Sequence, residues 1–217
     1  MKRRRYQSSI RDAAASRTRE RLVDAAAAVL GTAEGIGEFS LATVAKKAGV
    51  TRLTVYNQFG SRRALLEAVF DAIAVRGGLL RLSAVMAGSD PHAALSQTIT
   101  IFCEFWSSGL GALRLLHASG ASDPELAQSV DERNERRRGL LRALVRRVAK
   151  KHRMPPRSQR DLVDTLFALT SLWFFSQLTT GGRSAAAVCR IIQQLAVDAV
   201  RHHVSTATAN KTPSTAR

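Results

Sequence analysis

Four side chains that can donate hydrogen bonds or carry charge lie close together in this chain: Arg52, Thr54, Tyr56 and Asn57. Guanidinium, amide and hydroxyl groups of this kind can bond to phosphate oxygens and to polar atoms on base edges. Val55 and Phe59 stand four residues apart among them, which is the spacing of one buried helical face. The pattern therefore indicates a short helix that packs by one side and offers its other side to a polar partner.

The neighbouring residues predict the elements that position this helix. A preceding helix is indicated by apolar residues at helical spacing, namely Leu41, Val44, Ala45 and Ala48. Gly49 can adopt the left-handed conformation that ends a helix, and Thr51 is a good N-cap for the next one. The run 40–63 therefore reads as helix, turn, helix and the capped start of a third. A helix-turn-helix with its second helix in the DNA major groove has this form, but an ordinary helical hairpin in a bundle core uses the same turn chemistry.

The run resembles the DNA-binding motif of the TetR family of transcriptional regulators. The resemblance covers about residues 17–70, and the matching positions are Val50, Thr51, Thr54, Val55, Tyr56, Phe59, Gly60, Ser61, Arg62, Leu65 and Leu66. The departures are Leu53 for a small residue, Gln58 for His, Arg62 for Lys and Arg63 for Glu. The last of these makes this corner of the molecule more positive than is usual in the family.

The resemblance implies an all-α fold of about nine helices, with a three-helix DNA-binding domain followed by a larger helical domain. Capping residues and apolar spacing place the helices near 15–33, 40–48, 51–58, 61–86, 91–108, 110–118, 123–152, 158–180 and 184–203. We expect a basic flexible arm at 1–14, a helix-turn-helix domain at 15–70, a ligand-binding and dimerisation domain at 71–203 and a disordered tail at 204–217.

The resemblance also implies roles for single residues. Arg52 is expected to read guanine and Asn57 adenine, and Leu53 and Thr54 to touch a thymine methyl group, with a phosphate as the alternative for both Asn57 and Thr54. Backbone phosphates are the expected partners of Tyr56 and Arg62. The remaining predicted DNA-binding residues stand at the starts of the two short helices: Ser40, Thr43 and Thr51. Because one recognition helix reads only a few base pairs, we expect a homodimer on a palindromic operator in double-stranded DNA.

The charge balance agrees with such a partner. The chain has 33 Lys or Arg and 17 Asp or Glu, a formal charge of +16, and residues 1–63 hold 13 basic and 5 acidic residues. This field favours nucleic acid over an anionic membrane surface. The arm around Lys2 to Arg5 can follow a phosphate backbone or enter the minor groove, or can simply be a solubilising tail.

Other functional classes find little support. The five histidines show no metal-ligand spacing with acids or thiols, and no phosphate-binding glycine motif or nucleophile elbow is present, so we expect no catalytic residues, metal or cofactor. The only cysteines, Cys103 and Cys189, lie in apolar helical patterns, where Cys103 is a redox sensor or, more commonly, an inert buried thiol. The charge-free run 165–182 is interrupted by Ser, Thr and Gln and is short for a membrane span, so a cytoplasmic protein is expected.

Two further surfaces are predicted in the larger domain. The resemblance implies a dimer interface on its last two long helices, for which the apolar stripes offer Leu162, Leu166, Leu169, Val188, Ile191, Ile192, Leu195 and Ala199. An effector pocket is predicted around Phe102, Phe105, Trp106, Leu116, His117, Trp173 and Phe174, although such aromatic clusters are more often core. The stripe of Arg138, Arg142 and Arg146 can receive an anionic effector such as an acyl thioester of coenzyme A, or can be a solvated face.

These observations predict a ligand-responsive repressor that a small apolar or aromatic effector releases from its operator. The alternative is an architectural DNA-binding protein of the same fold that needs no effector.

Overall fold

The computed structural model describes the backbone of residues 2–32, 39–120 and 124–209, and in these segments the side chains of residues 13–205 except 119 and 125. This part of the chain contains no strand and eleven α-helices: α1 (Lys2–Thr32), α2 (Leu41–Ala48), α3 (Arg52–Phe59), α4 (Arg62–Arg76), α5 (Leu82–Ala87), α6 (Pro91–Ser108), α7 (Leu110–Ser119), α8 (Pro124–His152), α9 (Pro156–Leu169), α10 (Leu172–Thr179) and α11 (Ala185–Ala209). The prediction of an all-α fold is confirmed.

The first of two compact units comprises Met1–Ala74 and Gly109–Ala127. In it, α1 packs on α2 and α7, and α2 packs on α3. The sequence-based boundary placed α7 in the larger domain, but α7 buries its apolar side within the first unit. Gly111 allows this close approach, because a Cβ there would lie 3.0 Å from the carbonyl oxygen of Gly31.

The second unit comprises Val75–Ser108 and Gln128–Arg217. In it, α11 packs on α6, α9 and α10, and α5 packs on α6. Its core is built from leucine, isoleucine, valine and phenylalanine side chains at helical spacing, including Ile99, Phe105, Leu141, Leu144, Val145, Val148, Leu162, Leu166, Val188 and Ile192, all of which are buried.

Two predicted helices are each broken in two. The predicted helix 61–86 ends at Arg76, and a 3₁₀ turn (Leu79–Arg81) separates α4 from α5. Gly78 adopts a φ of 78°, and a Cβ on Gly77 would lie 2.4 Å from the Cα of Phe105. Both features favour glycine, so the pair interrupts the helix that we predicted to continue.

The predicted helix 158–180 begins at Pro156, because Pro155 takes the N-cap position, and it breaks at Thr170. Ser171 is extended and restarts the chain as the N-cap of α10, where its Oγ accepts from the Phe174 amide at 3.1 Å. Side chains from other helices bond to carbonyls at the break: the Trp106 indole donates to Thr170 O at 3.0 Å, and Arg137 donates to Phe167 O at 2.7 Å. The two breaks account for eleven helices where about nine were predicted.

The chain ends also differ from the prediction. α1 begins at Lys2, so backbone assigned to a flexible arm at 1–14 is helical, although the side chains of residues 2–12 lie outside the described part. α11 runs to Ala209, beyond the predicted start of the tail at 204. Residues 210–217 of that tail and Asp123, predicted to cap α8, lie outside the described residues. Over the described segments no single helix is long and apolar enough to cross a membrane, whereas two bent pairs of consecutive helices reach the required length and composition together.

Candidate nucleic-acid interface

The turn between α2 and α3 has the geometry of a closed helix C-terminus. Gly49 adopts the left-handed conformation (φ 66°, ψ 37°) that the sequence predicted. Its amide donates to Lys46 O at 3.3 Å, and the Val50 amide donates to Ala45 O at 3.0 Å. This pair of bonds is a Schellman motif, which satisfies carbonyls that the helix cannot. The chain therefore leaves α2 in one defined direction and enters α3 after the three residues 49–51.

α3 packs by one side and exposes the other. Val55 is fully buried and Phe59 is 8% exposed, and these two side chains anchor the helix. The opposite side exposes Arg52 and Asn57, together with 66% of Leu53 and 58% of Tyr56. An exposed leucine and tyrosine beside an arginine and an asparagine form a surface that can bond to base edges, pack on thymine methyl groups and reach phosphates.

Four hydroxyl groups are arranged in two pairs at the starts of the short helices. Ser40 caps α2 by accepting from the Thr43 amide at 3.0 Å, and its Oγ lies 2.8 Å from Thr43 Oγ1. Thr51 caps α3 in the same way, accepting from the Thr54 amide at 3.2 Å, with 2.9 Å between the two hydroxyl oxygens. Accepting from the backbone amide uses only a lone pair of the capping hydroxyl oxygen. The hydrogen bond between the two hydroxyls of a pair uses one of their two O–H protons. Each pair therefore keeps one O–H that can donate to a phosphate oxygen.

Of these four residues, Thr54 is the least available for base contact. Its side chain is half-buried and its hydroxyl lies in the pair with Thr51. The structure thus favours a phosphate contact over a thymine contact for this residue.

Arg62 occupies the first position of α4, which Ser61 caps by accepting from the Ala64 amide at 3.0 Å. The side chain of Arg62 is half-buried, and its guanidinium carbon lies 5.6 Å from the centroid of the Phe39 ring. This distance is that of a cation–π contact, and the ring limits the positions that the guanidinium can take. A cation at a helix N-terminus adds to the positive potential that attracts phosphate.

Two arginines of α1 hold α2 and α3, and the sequence analysis did not identify them. Arg19 Nη1 donates to Gln58 O in the last turn of α3 at 2.7 Å, and its guanidinium carbon lies 4.2 Å from the centroid of the Phe59 ring. Arg21 Nη2 donates to Ala48 O at the end of α2 at 2.9 Å. The partners are 39 and 27 residues away along the chain, so no local pattern indicates them. These are positioning residues that fix both short helices to α1.

The residues predicted to line an effector pocket are not all brought together. Phe102, Phe105 and Trp106 pack on one another, with ring centroids 4.4 Å apart for Phe105 and Trp106, and all three are buried. Trp173 is 71% exposed, because the break before α10 directs Leu172 and Phe175 inward instead. Phe174, the residue after Trp173 in α10, is half-buried. The other two predicted lining residues, the buried Leu116 and the half-buried His117, belong to the first unit. The aromatic trio is thus core, and Trp173 does not join it.

A cavity of about 290 Å³ lies elsewhere in the second unit, among α6, the end of α8 and α11. Its walls are mainly apolar and include Leu95, Ile99, Ala196 and Val200. The Nε2 atoms of His92 and His152 lie 3.1 Å apart at its lining. No sequence pattern pointed to this cavity, because its walls come from three helices far apart in the chain.

Half of the residues predicted for a dimer interface are core instead. Leu162, Leu166 and Val188 are fully buried within their own chain and Ile192 is 1% exposed, so their side chains cannot meet a partner in this conformation. Leu195 is 40% exposed, and Leu169, Ile191 and Ala199 are half-buried. The apolar stripes were recognised correctly, but a buried stripe and an interface stripe have the same spacing.

The arginine stripe of α8 divides into different environments. Arg138 pairs with Asp164 and lies 4.0 Å from the Phe167 ring centroid. Arg142 and Arg146 are exposed and line an open groove of about 580 Å³ with Arg160. Their neighbour Arg137 is buried and bonds to carbonyl and hydroxyl oxygens, and this burial lowers its pKa to about 10.

The fold and the exposed side of α3 together define a DNA-binding protein of the helix-turn-helix class. Residues 22–69 match the bacterial regulatory proteins of the tetR family, whereas no curated protein matches the chain.

Solved structures share the fold at low sequence identity. A TetR transcription regulator from Haloarcula marismortui ATCC 43049 aligns with a TM-score of 0.70 at 14% identity, covering 87% of this chain and 98% of its own. A transcriptional regulator from Rhodococcus sp. Rha1 aligns with 0.64 at 20% identity, covering 87% and 97%. The multidrug binding protein EbrR complexed with imidazole aligns with 0.52 at 23% identity, covering 82% and 93%. Residues 22–69 therefore form a DNA-binding domain of the tetR family, within a chain that shares the fold of these solved regulators.

Proposed function

We propose that this regulator is a homodimeric repressor that binds a palindromic operator in the cytoplasm and is released by a small apolar or aromatic effector. The observation that carries the proposal is the exposed side of α3, where Arg52, Leu53, Tyr56 and Asn57 stand together on a helix anchored by Val55 and Phe59. One such helix reads too few base pairs for a specific site, so two copies on successive major grooves are required.

Exposed apolar side chains of the second unit support a dimer. Trp173 is 71% exposed and Leu195 is 40% exposed. Exposure rises along the chain from the buried Leu162 and Leu166 through the half-buried Leu169 to Trp173, just past the break. A tryptophan of this exposure is an anchor of the kind that dominates association energy. We therefore place the interface on Leu169, Trp173, Ile191, Leu195 and Ala199.

The effector site is proposed in the cavity among α6, α8 and α11. Its volume of about 290 Å³ is near the lower end for small-molecule sites, and its apolar walls suit an apolar or aromatic molecule of modest size. His92 and His152 supply the polar groups that orient such a ligand. A fold neighbour, EbrR, is a multidrug binding protein complexed with imidazole. The packed trio of Phe102, Phe105 and Trp106 favours the alternative of an effector-independent DNA-binding protein, since that part of the core is filled.

The proposed mechanism couples the two sites. The effector binds one conformation of the dimer better than the other, and the preferred conformation has its two recognition helices at a separation that does not fit the operator. DNA affinity then falls by the factor by which the effector discriminates between the two conformations.

The test is selection of bound sequences from a random duplex pool, followed by anisotropy titrations of the selected and random duplexes over a range of salt. We expect a palindrome. Arg52→Ala should cost about 1–3 kcal/mol on the selected site and relax preference at one base pair. Tyr56→Ala and Arg62→Ala should weaken binding to both duplexes, and Arg62→Ala, which removes a positive charge, should also lower the salt slope by about one per subunit.

Arg183→Ala provides a matched control, because it removes one exposed positive charge from the loop before α11. It should leave both affinities nearly unchanged. Equal losses for Arg52→Ala and Tyr56→Ala on both duplexes would refute the division into base and phosphate contacts. A selected site without two-fold symmetry would refute the dimeric mode of binding.

A further inference from the structure

The two cysteines of the chain lie against each other in the second unit. Cys103 is in α6 and Cys189 is in α11, and the two helices pack together. The two thiols share a hydrogen bond although they are 86 residues apart in sequence. Two thiols in direct contact are the starting arrangement for a disulfide.

Polar contacts beside the thiols fix the register of the two helices. Gln193 Nε2, one turn after Cys189, donates to Thr100 Oγ1, one turn before Cys103, at 2.8 Å. The Thr100 hydroxyl also lies within hydrogen-bonding reach of the Cys189 sulfur. The packing of α6 on α11 and the bond between Gln193 and Thr100 therefore place the two cysteines at the same level of the facing helices, and neither helix needs to move by a turn for the thiols to meet.

The two thiols differ in accessibility. Cys103 is 4% exposed, whereas Cys189 is half-buried. The hydrogen bond from Cys103, with help from Thr100 and Arg190, holds the pKa of Cys189 below its ordinary value against burial and the negative charge of Glu104, which both raise it. The same hydrogen bond and burial raise the pKa of Cys103. Cys189 is thus the thiol that ionises more readily and is accessible to solutes, and the buried Cys103 is the resolving thiol that can react with it afterwards.

We propose that Cys103 and Cys189 are a modification site, at which hydroperoxides convert the two thiols to a reversible intramolecular disulfide. The Cys189 thiolate attacks one peroxide oxygen, the O–O bond breaks, and the other oxygen leaves as an alcohol or water after taking a proton. This forms a sulfenic acid on Cys189. The Cys103 sulfur then attacks the Cys189 sulfur, the S–O bond breaks, and the hydroxide leaves as water with the proton of the Cys103 thiol. The peroxide gains the two electrons that the thiol pair loses.

The site remains reachable in the proposed dimer. Residues 189 and 193 lie on the side of α11 that faces α6. At about 100° per residue, Ile191 and Leu195, proposed for the interface, are about 120–160° away around the helix from residues 189 and 193, and Ala199 is about 80–120° away. The disulfide therefore forms within one subunit and would tie α6 to α11 next to the cavity, whose lining includes Gln193. This site does not depend on DNA binding or on an effector.

The test treats the reduced full-length protein with hydrogen peroxide and then alkylates the remaining thiols under denaturing conditions. We expect both cysteines to resist alkylation, the intact mass to fall by two hydrogen atoms, and dithiothreitol to restore the reduced mass. A peptide map should join the Cys103 peptide to the Cys189 peptide, and the protein should run as a monomer on a non-reducing denaturing gel.

Two matched variants separate the roles. In Cys103→Ser the sulfenic acid of Cys189 should persist and be trapped by dimedone, whereas in Cys189→Ser the Cys103 thiol should remain free to alkylate. Thermal melting of both variants checks that each is folded, and the wild-type result stands without them. Sulfinic acid on Cys189 with Cys103 still alkylated would overturn the proposal, as would a disulfide between subunits or two thiols that excess peroxide leaves unchanged.

Discussion

Replacing Gly49 by alanine tests whether the turn between α2 and α3 depends on backbone conformation alone. Gly49 has a φ of 66°, and a Cβ built on it meets no atom within 4 Å. The substitution therefore creates no clash, and its cost is the strain of a Cβ in the left-handed region. That strain is about 1–2 kcal/mol, offset in part by about 0.4–1 kcal/mol because alanine restricts the unfolded chain. We expect a net loss of about 1 kcal/mol in the free energy of unfolding.

Gly139→Ala is the matched control. Gly139 lies inside α8, and a Cβ on it also meets no atom within 4 Å, but no positive φ holds its backbone away from the helical conformation. Alanine is about 0.8–1.0 kcal/mol more favourable than glycine in a helix interior. The same chemical change in the same open space should therefore stabilise the protein here, and the two variants should differ by about 2 kcal/mol with opposite signs.

The assay is urea unfolding followed by far-ultraviolet circular dichroism, with DNA anisotropy measured under native conditions. Because a loss of about 1 kcal/mol leaves a domain of ordinary stability folded, Gly49→Ala should keep most of its DNA affinity. Gly49→Asn should lose less stability than Gly49→Ala, since asparagine tolerates the left-handed region better. Stabilisation by Gly49→Ala, or the same sign for Gly49→Ala and Gly139→Ala, would refute the reasoning.

Two further predictions concern the second unit. Trp173→Glu should weaken the proposed dimer by about 2 kcal/mol or more of association energy, because a charge replaces an apolar anchor that is 71% exposed in one chain. The control is Leu80→Glu, at a site that is 72% exposed, which should leave the mass measured by light scattering unchanged. Equal effects of the two substitutions would refute the interface. Asp90 caps α6 by accepting from the His92 amide at 3.0 Å, which lowers the pKa of its carboxyl. The carboxyl of Asp90 has a lower pKa in the folded protein than in the unfolded one. The stabilisation that its charge provides is therefore present above the unfolded pKa and is lost as the pH falls through the folded pKa. The loss of thermal stability in Asp90→Ala should therefore shrink at low pH to that of a neutral cap, while Asp90→Asn should keep a neutral cap at all pH values, and a pH-independent loss in Asp90→Ala would contradict this.

The features that sequence reasoning predicted well are those that a few neighbouring residues determine. The left-handed Gly49 and the caps at Thr51 and Ser184 depend on contacts within one or two helical turns, and the buried side of α3 was read from the four-residue spacing of Val55 and Phe59. One local signal was missed: the adjacent Gly77 and Gly78 indicate a break in the helix that was predicted over 61–86. The match of residues 22–69 to the family lies in this locally determined part of the chain.

The features that could not be predicted depend on which helix packs against which other helix in the folded chain. The break at Thr170 is stabilised by Trp106 and Arg137, which come from helices 64 and 33 residues away. The stripe of Leu162 and Leu166 was assigned to a dimer interface, yet α11 covers it within the same chain. Periodicity identifies an apolar side of a helix, but only the tertiary structure decides whether the same subunit or another one buries it.

The placement of the arginines changes how the charge of the chain is interpreted. Of its 33 basic residues, 27 are arginine. Among the side chains that the structure describes, four arginines donate to carbonyls at the end of a helix: Arg19 at α3, Arg21 at α2, Arg137 at α9 and Arg147 at α5. These carbonyls lack an intrahelical donor and carry the negative end of the helix dipole, so a cation there is stabilising.

Two of these contacts need the planar fork of arginine. Arg137 donates from Nη1 to Phe167 O and from Nη2 to Asn134 Oδ1, and Arg147 donates from Nη1 to Met86 O and from Nη2 to Gly88 O. The single ammonium of lysine does not match such a pair of acceptors, which is a structural reason for arginine over lysine in this chain. Net charge alone therefore overstates the surface available to DNA. Arg52, which is exposed and in the described structure bonds to no helix end, is the arginine whose position fits base reading.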